Sequence, residues 1–216
     1  ETLYLILRIQ SDGSLALETS AAITGNLGPL SASVERMGIE TVLSFSDGAD
    51  KALGPIDLAL RFKPPNGVGL ALDAGVVKGG GYLYLDYDKG EYAGALELTF
   101  TGLFAVKAIG IINTKMPDGS DGFSLLIIIT AEFGTPIQLG FGFTLIGLGG
   151  LIGLNRTMML EELAEGVRTR SVKNIMFPHD VVANAPQIIS DMKRFFPPLE
   201  GHFMIGPMAK LGWGTP

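Results

Sequence analysis

The chain of 216 residues has no cysteine, one tryptophan and two histidines, and only 18 % of its residues are charged. Without cysteine there is no disulfide, no thiolate nucleophile and no Cys-ligated metal, and no redox compartment is implied. His179 and His202 have no partner at metal-ligand spacing, so neither a metal nor a cofactor is expected. No G-x-S-x-G elbow and no Gly-Lys-Ser/Thr phosphate loop occurs, which leaves no recognisable nucleophile or nucleotide motif and no catalytic residue to name. Basic clusters are missing too. Residues 1–155 hold nine Lys/Arg against sixteen Asp/Glu, and residues 156–216 seven against six, so a nucleic-acid partner is not expected.

What the sequence does have is apolar residues and turns. Hydrophobic residues make up 47 %, with 30 glycines and 12 prolines placed between alternating runs. That is the punctuation of an all-β region with ample material for a core. Leu3, Leu5, Leu7 and Ile9 alternate with Tyr4, Ile6 and Arg8, and "SDGS" then turns the chain back. Further strands are expected over 31–35, 40–46, 56–62, 68–74, 82–87, 93–100, 105–112, 124–131 and 137–145. They are joined by "DGAD", "PPNG", "DKG" and "PDGSDG". Short connections throughout imply an antiparallel meander.

The span from Phe133 to Asn155 is free of charge and long enough for a membrane helix. Its period argues otherwise. Ile137, Leu139, Phe141, Phe143 and Leu145 alternate with Gln138, Gly140, Gly142 and Thr144, which predicts a strand with one large-residue face and one nearly bare backbone face, followed by a glycine-rich turn. "LLIII" at Leu125–Ile129 has no polar alternation at all, so both its faces require cover. After Arg156 the spacing becomes helical. Thr157 is placed to cap a helix carrying Leu160, Leu163, Ala164 and Val167. Asn184 is placed to cap a second with Ile188, Ile189, Met192, Phe195 and Phe196.

"GFTLIGLGGLIGLNRT" and "MFPHDVVANAPQIISDMKRFFPPLEGHFMIGPMAKLGWGTP", together with "GYLYLDYDKGEYAGALEL" and "DGFSLLIIITAEF", resemble a conserved-domain family of unknown function from very large bacterial β-rich proteins. The resemblance covers Val76 to the end. It implies a module inside a longer chain, in keeping with ends that fall within alternating runs. A looser likeness, at the level of fold, is to bacterial proteins that form hydrophobic β-grooves for lipids.

The expected fold is therefore mainly β: a curved antiparallel meander forming a groove, sandwich or partly closed barrel, with two C-terminal amphipathic helices. Residues 1–155 form the β region, 156–200 a helical lid or plug, and 201–216 a returning strand. The expected function is that of a non-enzymatic structural module of a large bacterial protein. Its apolar β surface, with Ile127, Ile129, Gly140, Phe141, Gly142 and Phe143, binds a lipid-like ligand or an adjoining module, with self-association as a further outcome. The sequence assigns no compartment; an envelope or extracellular setting of a bacterial protein is compatible with it. Arg156, the charge that closes the apolar span, is a possible contact for an anion, or a partner for Glu161, Glu162 or backbone carbonyls. The alternatives are a hydrolase with a His179/Asp180 site and a segment of an outer-membrane-type barrel. Asp86, Asp88 and Glu97 echo a calcium loop with its glycine misplaced at Gly90, and read as a plain hairpin.

Overall fold

The computed structural model describes residues 2–45, 56–169 and 171–214. The protein is mainly β and antiparallel, with helices only towards the C-terminus, as the alternation predicts. The "DGAD" turn lies outside the described residues. The chain divides into two compact units, one of residues 1–27 and 31–68, the other of 28–30 and 69–216.

In the first unit, β1 (Thr2–Ile9) pairs with β2 (Leu15–Leu27), β2 with β3 (Leu30–Phe45), and β4 (Ile56–Lys63) with the later half of β3. The two strands expected within residues 31–46 are one long strand. It carries an irregular residue at Arg36, whose φ is 54°.

The second unit begins within β5 (Gly67–Asp73) and continues as an uninterrupted meander. Its strands are β6 (Val77–Asp86), β7 (Glu91–Phe100), β8 (Phe104–Lys115), β9 (Asp121–Gly140), β10 (Phe143–Arg156) and β11 (Pro198–Trp213). Each strand pairs with the next, and the order β5 to β11 does not close on itself. Pro207 sits within β11 because that strand is hydrogen-bonded to β10 alone.

Between β10 and β11 come α1 (Leu160–Arg168), α2 (Lys173–Met176) and α3 (Ala185–Phe195). Two helices were expected; α2 has only four residues, too few for a period to show. Thr157 is not a cap, since α1 starts at Leu160 behind Met159. Asn184 holds the N-cap position of α3, but its amide donates to the carbonyls of His179 and Asp180.

The expected strand 137–145 is broken by a hairpin turn. Gly140, Phe141 and Gly142 have φ values of 92°, 51° and 79°, a left-handed run that glycine permits at low cost. The period of two carried across this turn because Gly-Phe-Gly keeps the small-large alternation. Conversely, the glycines from Gly147 to Gly153, expected as a turn, lie inside β10.

The core sits on one face of the second unit. Ala185, Ile188, Ile189, Met192 and Phe195 recur on one side of α3 and are all buried. They pack on Ile109, Ile111, Leu126 and Ile128 of β8 and β9, joined by Ile175 and Val181. Each of the larger side chains in this set contributes about 1.5–3 kcal/mol through burial, which makes α3 the element that fastens the helical segment to the sheet.

Candidate functional site

Strand alternation sorts the second unit's side chains into two faces, and the sort is the reverse of an ordinary one. On β7, Glu91, Ala93, Ala95 and Glu97 point towards the helices; on β8, Lys107, Ile109, Ile111 and Asn113 do so; on β9, Ser124, Leu126, Ile128, Thr130 and Glu132. Glu91, Glu97, Lys107 and Glu132 thus share the helix-covered side with the core.

Two buried polar clusters result. At one end Lys107 donates to Glu132 (2.9 Å) and to the Pro178 carbonyl (2.6 Å), Lys210 also donates to Glu132, and Glu97 accepts from the Val181 backbone N–H (2.9 Å). Burial pushes the Glu132 carboxyl up, but the hydrogen bonds from Lys107 and Lys210 outweigh it and hold the pKa below its ordinary value. At the other end Arg156, 0 % exposed, donates to the Phe196 carbonyl (2.9 Å) and to Asn113 Oδ1, while Lys193 donates to Glu91. Burial pushes Arg156 down to about 10, so it stays a cation at neutral pH. The two clusters tie the helical segment to the sheet from either side of the apolar core.

On the opposite face the four central rows have no charged side chain. Strand register aligns Leu83, Gly94, Gly110, Ile127, Ile152 and Ile205 in one row across β6 to β11. The next row is Gly81, Leu96, Ala108, Ile129, Gly150 and Pro207, and the one beyond it Gly79, Leu98, Val106, Ala131, Leu148 and Ala209. On the other side lie Leu85, Tyr92, Ile112, Leu125, Leu154 and Phe203. These four rows contain one polar atom, the Tyr92 hydroxyl. Ile129 is 51 % exposed and Ile205 68 %. With strands about 4.8 Å apart and same-face residues about 6.8 Å apart, the rows span roughly 800 Å². The largest apolar patch on a typical monomer is about 300–600 Å².

The first unit repeats the pattern by itself. Glu18, almost fully buried, is held by Arg8 (2.7 Å), Arg36 (2.9 Å) and the Ser20 hydroxyl (2.7 Å), all gathered on one side. Leu3, Leu5, Leu7 and Ile9 occupy the other parity of β1 and are exposed.

A family described only as of unknown function, DUF6603, matches residues 4–215. The chain belongs to it. No curated protein and no solved structure matches the chain. The family match starts far upstream of Val76, where the resemblance in sequence began, so both units fall within it.

The family brings no residue roles, and the structure places the remaining candidates as follows. Ile127 and Ile129 lie on the charge-free face. Gly140, Phe141 and Gly142 form the β9–β10 turn, with Phe141 fully exposed, and Phe143 follows it in contact with Trp213 at 4.8 Å between ring centres. Trp213 is itself exposed. Arg156 is enclosed by the protein, paired with Asn113 and a carbonyl instead of Glu161, Glu162 or a site open to an external anion.

His179 and Asp180 are both exposed. Asp180 lines a shallow depression of about 450 Å³ with Lys78, Glu97 and Thr99, and His179 is not among its walls. Asp86 accepts the Lys89 backbone N–H (3.0 Å) in a hairpin turn, and Glu97 faces the helices, so the calcium-like spacing does not converge on one point. Among the described residues no cluster of three metal-ligating side chains forms, and no helix is long and apolar enough to cross a membrane. Reasoning from sequence missed Asn113, Lys107 and Glu132. Their parity within each strand was readable, but their mutual contacts depend on register.

Proposed function

We propose that this chain is a non-enzymatic structural module of a large bacterial protein, and that its charge-free sheet face binds a lipid-like ligand or an adjoining module. One observation carries the reading: the charged side chains Glu91, Glu97, Lys107 and Glu132 of β7 to β9 lie on the covered face, and the uncovered face presents four apolar rows. Antiparallel sheets with one solvated face normally place polar residues there. A sheet that hides its charges and shows its hydrocarbon has a hydrophobic partner when in use. The first unit supports the same reading through Leu3, Leu5 and Leu7.

The test is native mass spectrometry with solvent extraction of the 216-residue chain, comparing wild type with the Ile129→Lys/Ile152→Lys double variant. The expected outcome is that the wild type carries extractable hydrophobic molecules or self-associates, and that the variant keeps its fold and loses both. A wild type that is monomeric, ligand-free and soluble at high concentration would overturn the proposal.

A further inference from the structure

The helical segment leaves part of the sheet beneath it unfilled. A cavity of about 200 Å³ lies between the helices and strands β9 to β11, on the covered side of the sheet; of the charge-free rows Ile205 alone reaches its wall. Leu163, Ile175 and Phe195 bound it from the helices, and Ile128, Leu151 and Gly206 from the sheet; no ionisable side chain lines it.

Three features say what would fit. The walls include Met158, Met176, Met204 and Met208, half of the eight methionines in the chain, and unbranched thioethers adapt their shape to an apolar guest. Gly206 is a strand glycine where a side chain is sterically possible: an added Cβ meets nothing nearer than Leu151 Cβ at 3.7 Å. A bare backbone at that position keeps the floor of the cavity open. Finally, α1 is poorly buried above it. Leu160 is 71 % exposed and Val167 66 %, and Met158 and Met176, both exposed, stand among the lining residues as an apolar rim.

We propose that this cavity receives the end of a hydrocarbon chain, such as that of a fatty acid, with the polar head left at the rim. A void of about 150 Å³ lined by Leu, Ile and Phe stays dry and admits a benzene-sized guest, so the space here suits about six to eight carbons. A wall without hydrogen-bonding side chains excludes a sugar, nucleotide or peptide backbone, each of which would lose its water without replacement.

The experiment is a titration of the whole chain, methyl-labelled at methionine, with octanoate, followed by NMR. The methyls of Met158, Met176, Met204 and Met208 shift together and saturably, those of Met37 and Met116 do not, and butanoate binds more weakly. Gly206→Leu, which fills the floor, weakens octanoate at least tenfold, whereas Ile152→Lys on the charge-free face leaves it unchanged. Shifts that do not saturate, or that spare these four methyls, overturn the proposal, as does a Gly206→Leu protein that binds normally. Loss of binding in Ile152→Lys would place the chain on the other face. Should Gly206→Leu fail to fold, the methyl map of the wild type still decides.

Discussion

Arg156→Met tests the junction that holds the helical segment against the sheet. The guanidinium is fully buried where β10 ends, and it donates to the Phe196 carbonyl just past α3 and to Asn113 on β8. Hydrogen bonds from a charged donor contribute about 1.5–3 kcal/mol each, so losing two costs about 3–6 kcal/mol. Methionine returns part of this, because it fills much of the space and no charge has to be desolvated. The remainder is about 2–4 kcal/mol, since the Phe196 carbonyl stays buried without its donor and Asn113 Oδ1 keeps only the longer hydrogen bond from the Ser124 hydroxyl, at 3.5 Å. In urea, at about 1–3 kcal/mol per molar, the midpoint followed by far-ultraviolet circular dichroism falls by about 1–2 M. An Arg156→Met protein as stable as wild type would refute the reasoning: the guanidinium would then be a net desolvation cost and not the tie described.

Two further outcomes are expected. In the first unit burial pushes the Glu18 carboxyl up, but the Ser20 hydroxyl, Arg36 and Lys63 outweigh it, and its pKa lies below the ordinary 4.5. A depressed carboxylate stabilises the fold above its unfolded pKa and loses that contribution as pH falls through the folded one, so the melting temperature drops as pH falls below about 4.5. Glu18→Gln is less stable at neutral pH and shows a shallower acid slope; equal slopes would remove Glu18 from the account. His179→Ala, at an exposed loop position, changes stability by about 0.5 kcal/mol or less. A hydrolase screen in which that substitution abolished an activity without unfolding the protein would establish the enzyme reading instead.

How far the sequence alone reached depended on whether a feature was local. Alternation and turn chemistry located hairpins such as those at "SDGS", "DKG" and "PDGSDG" but not the one at Gly140–Gly142, and a change of period at Arg156 located the helical segment, because these signals are written within a dozen residues. The region 131–137 shows the limit. "FGTP" read as a gap between two strands, but Glu132 and Ile137 sit across from Gly147 and Leu145, so the four residues between them are an irregularity within β9. The contacts that fix the helices, Lys193 to Glu91 and Arg156 to Asn113, join residues far apart in sequence and follow only once strand register is known. The two-sided demand of "LLIII" was legible, and so was the shared parity of Glu91, Glu97 and Lys107, Asn113 within their strands. Which side the helices would cover was not, because either choice satisfies the local pattern.

The central claim, that adjacent side chains of β9 face a helix-covered core and an open apolar surface, is tested most directly by comparing Ile127→Asp with Ile128→Asp. Ile128 is buried beneath the helices and Ile127 lies in the charge-free row. A carboxylate at 128 has no partner in an apolar core and unfolds the second unit or costs at least about 3 kcal/mol. At 127 it is predicted to leave thermal unfolding cooperative and nearly unshifted while removing bound hydrophobic molecules or self-association. Equal destabilisation by both substitutions would mean that both faces are internal core, and the account would be wrong.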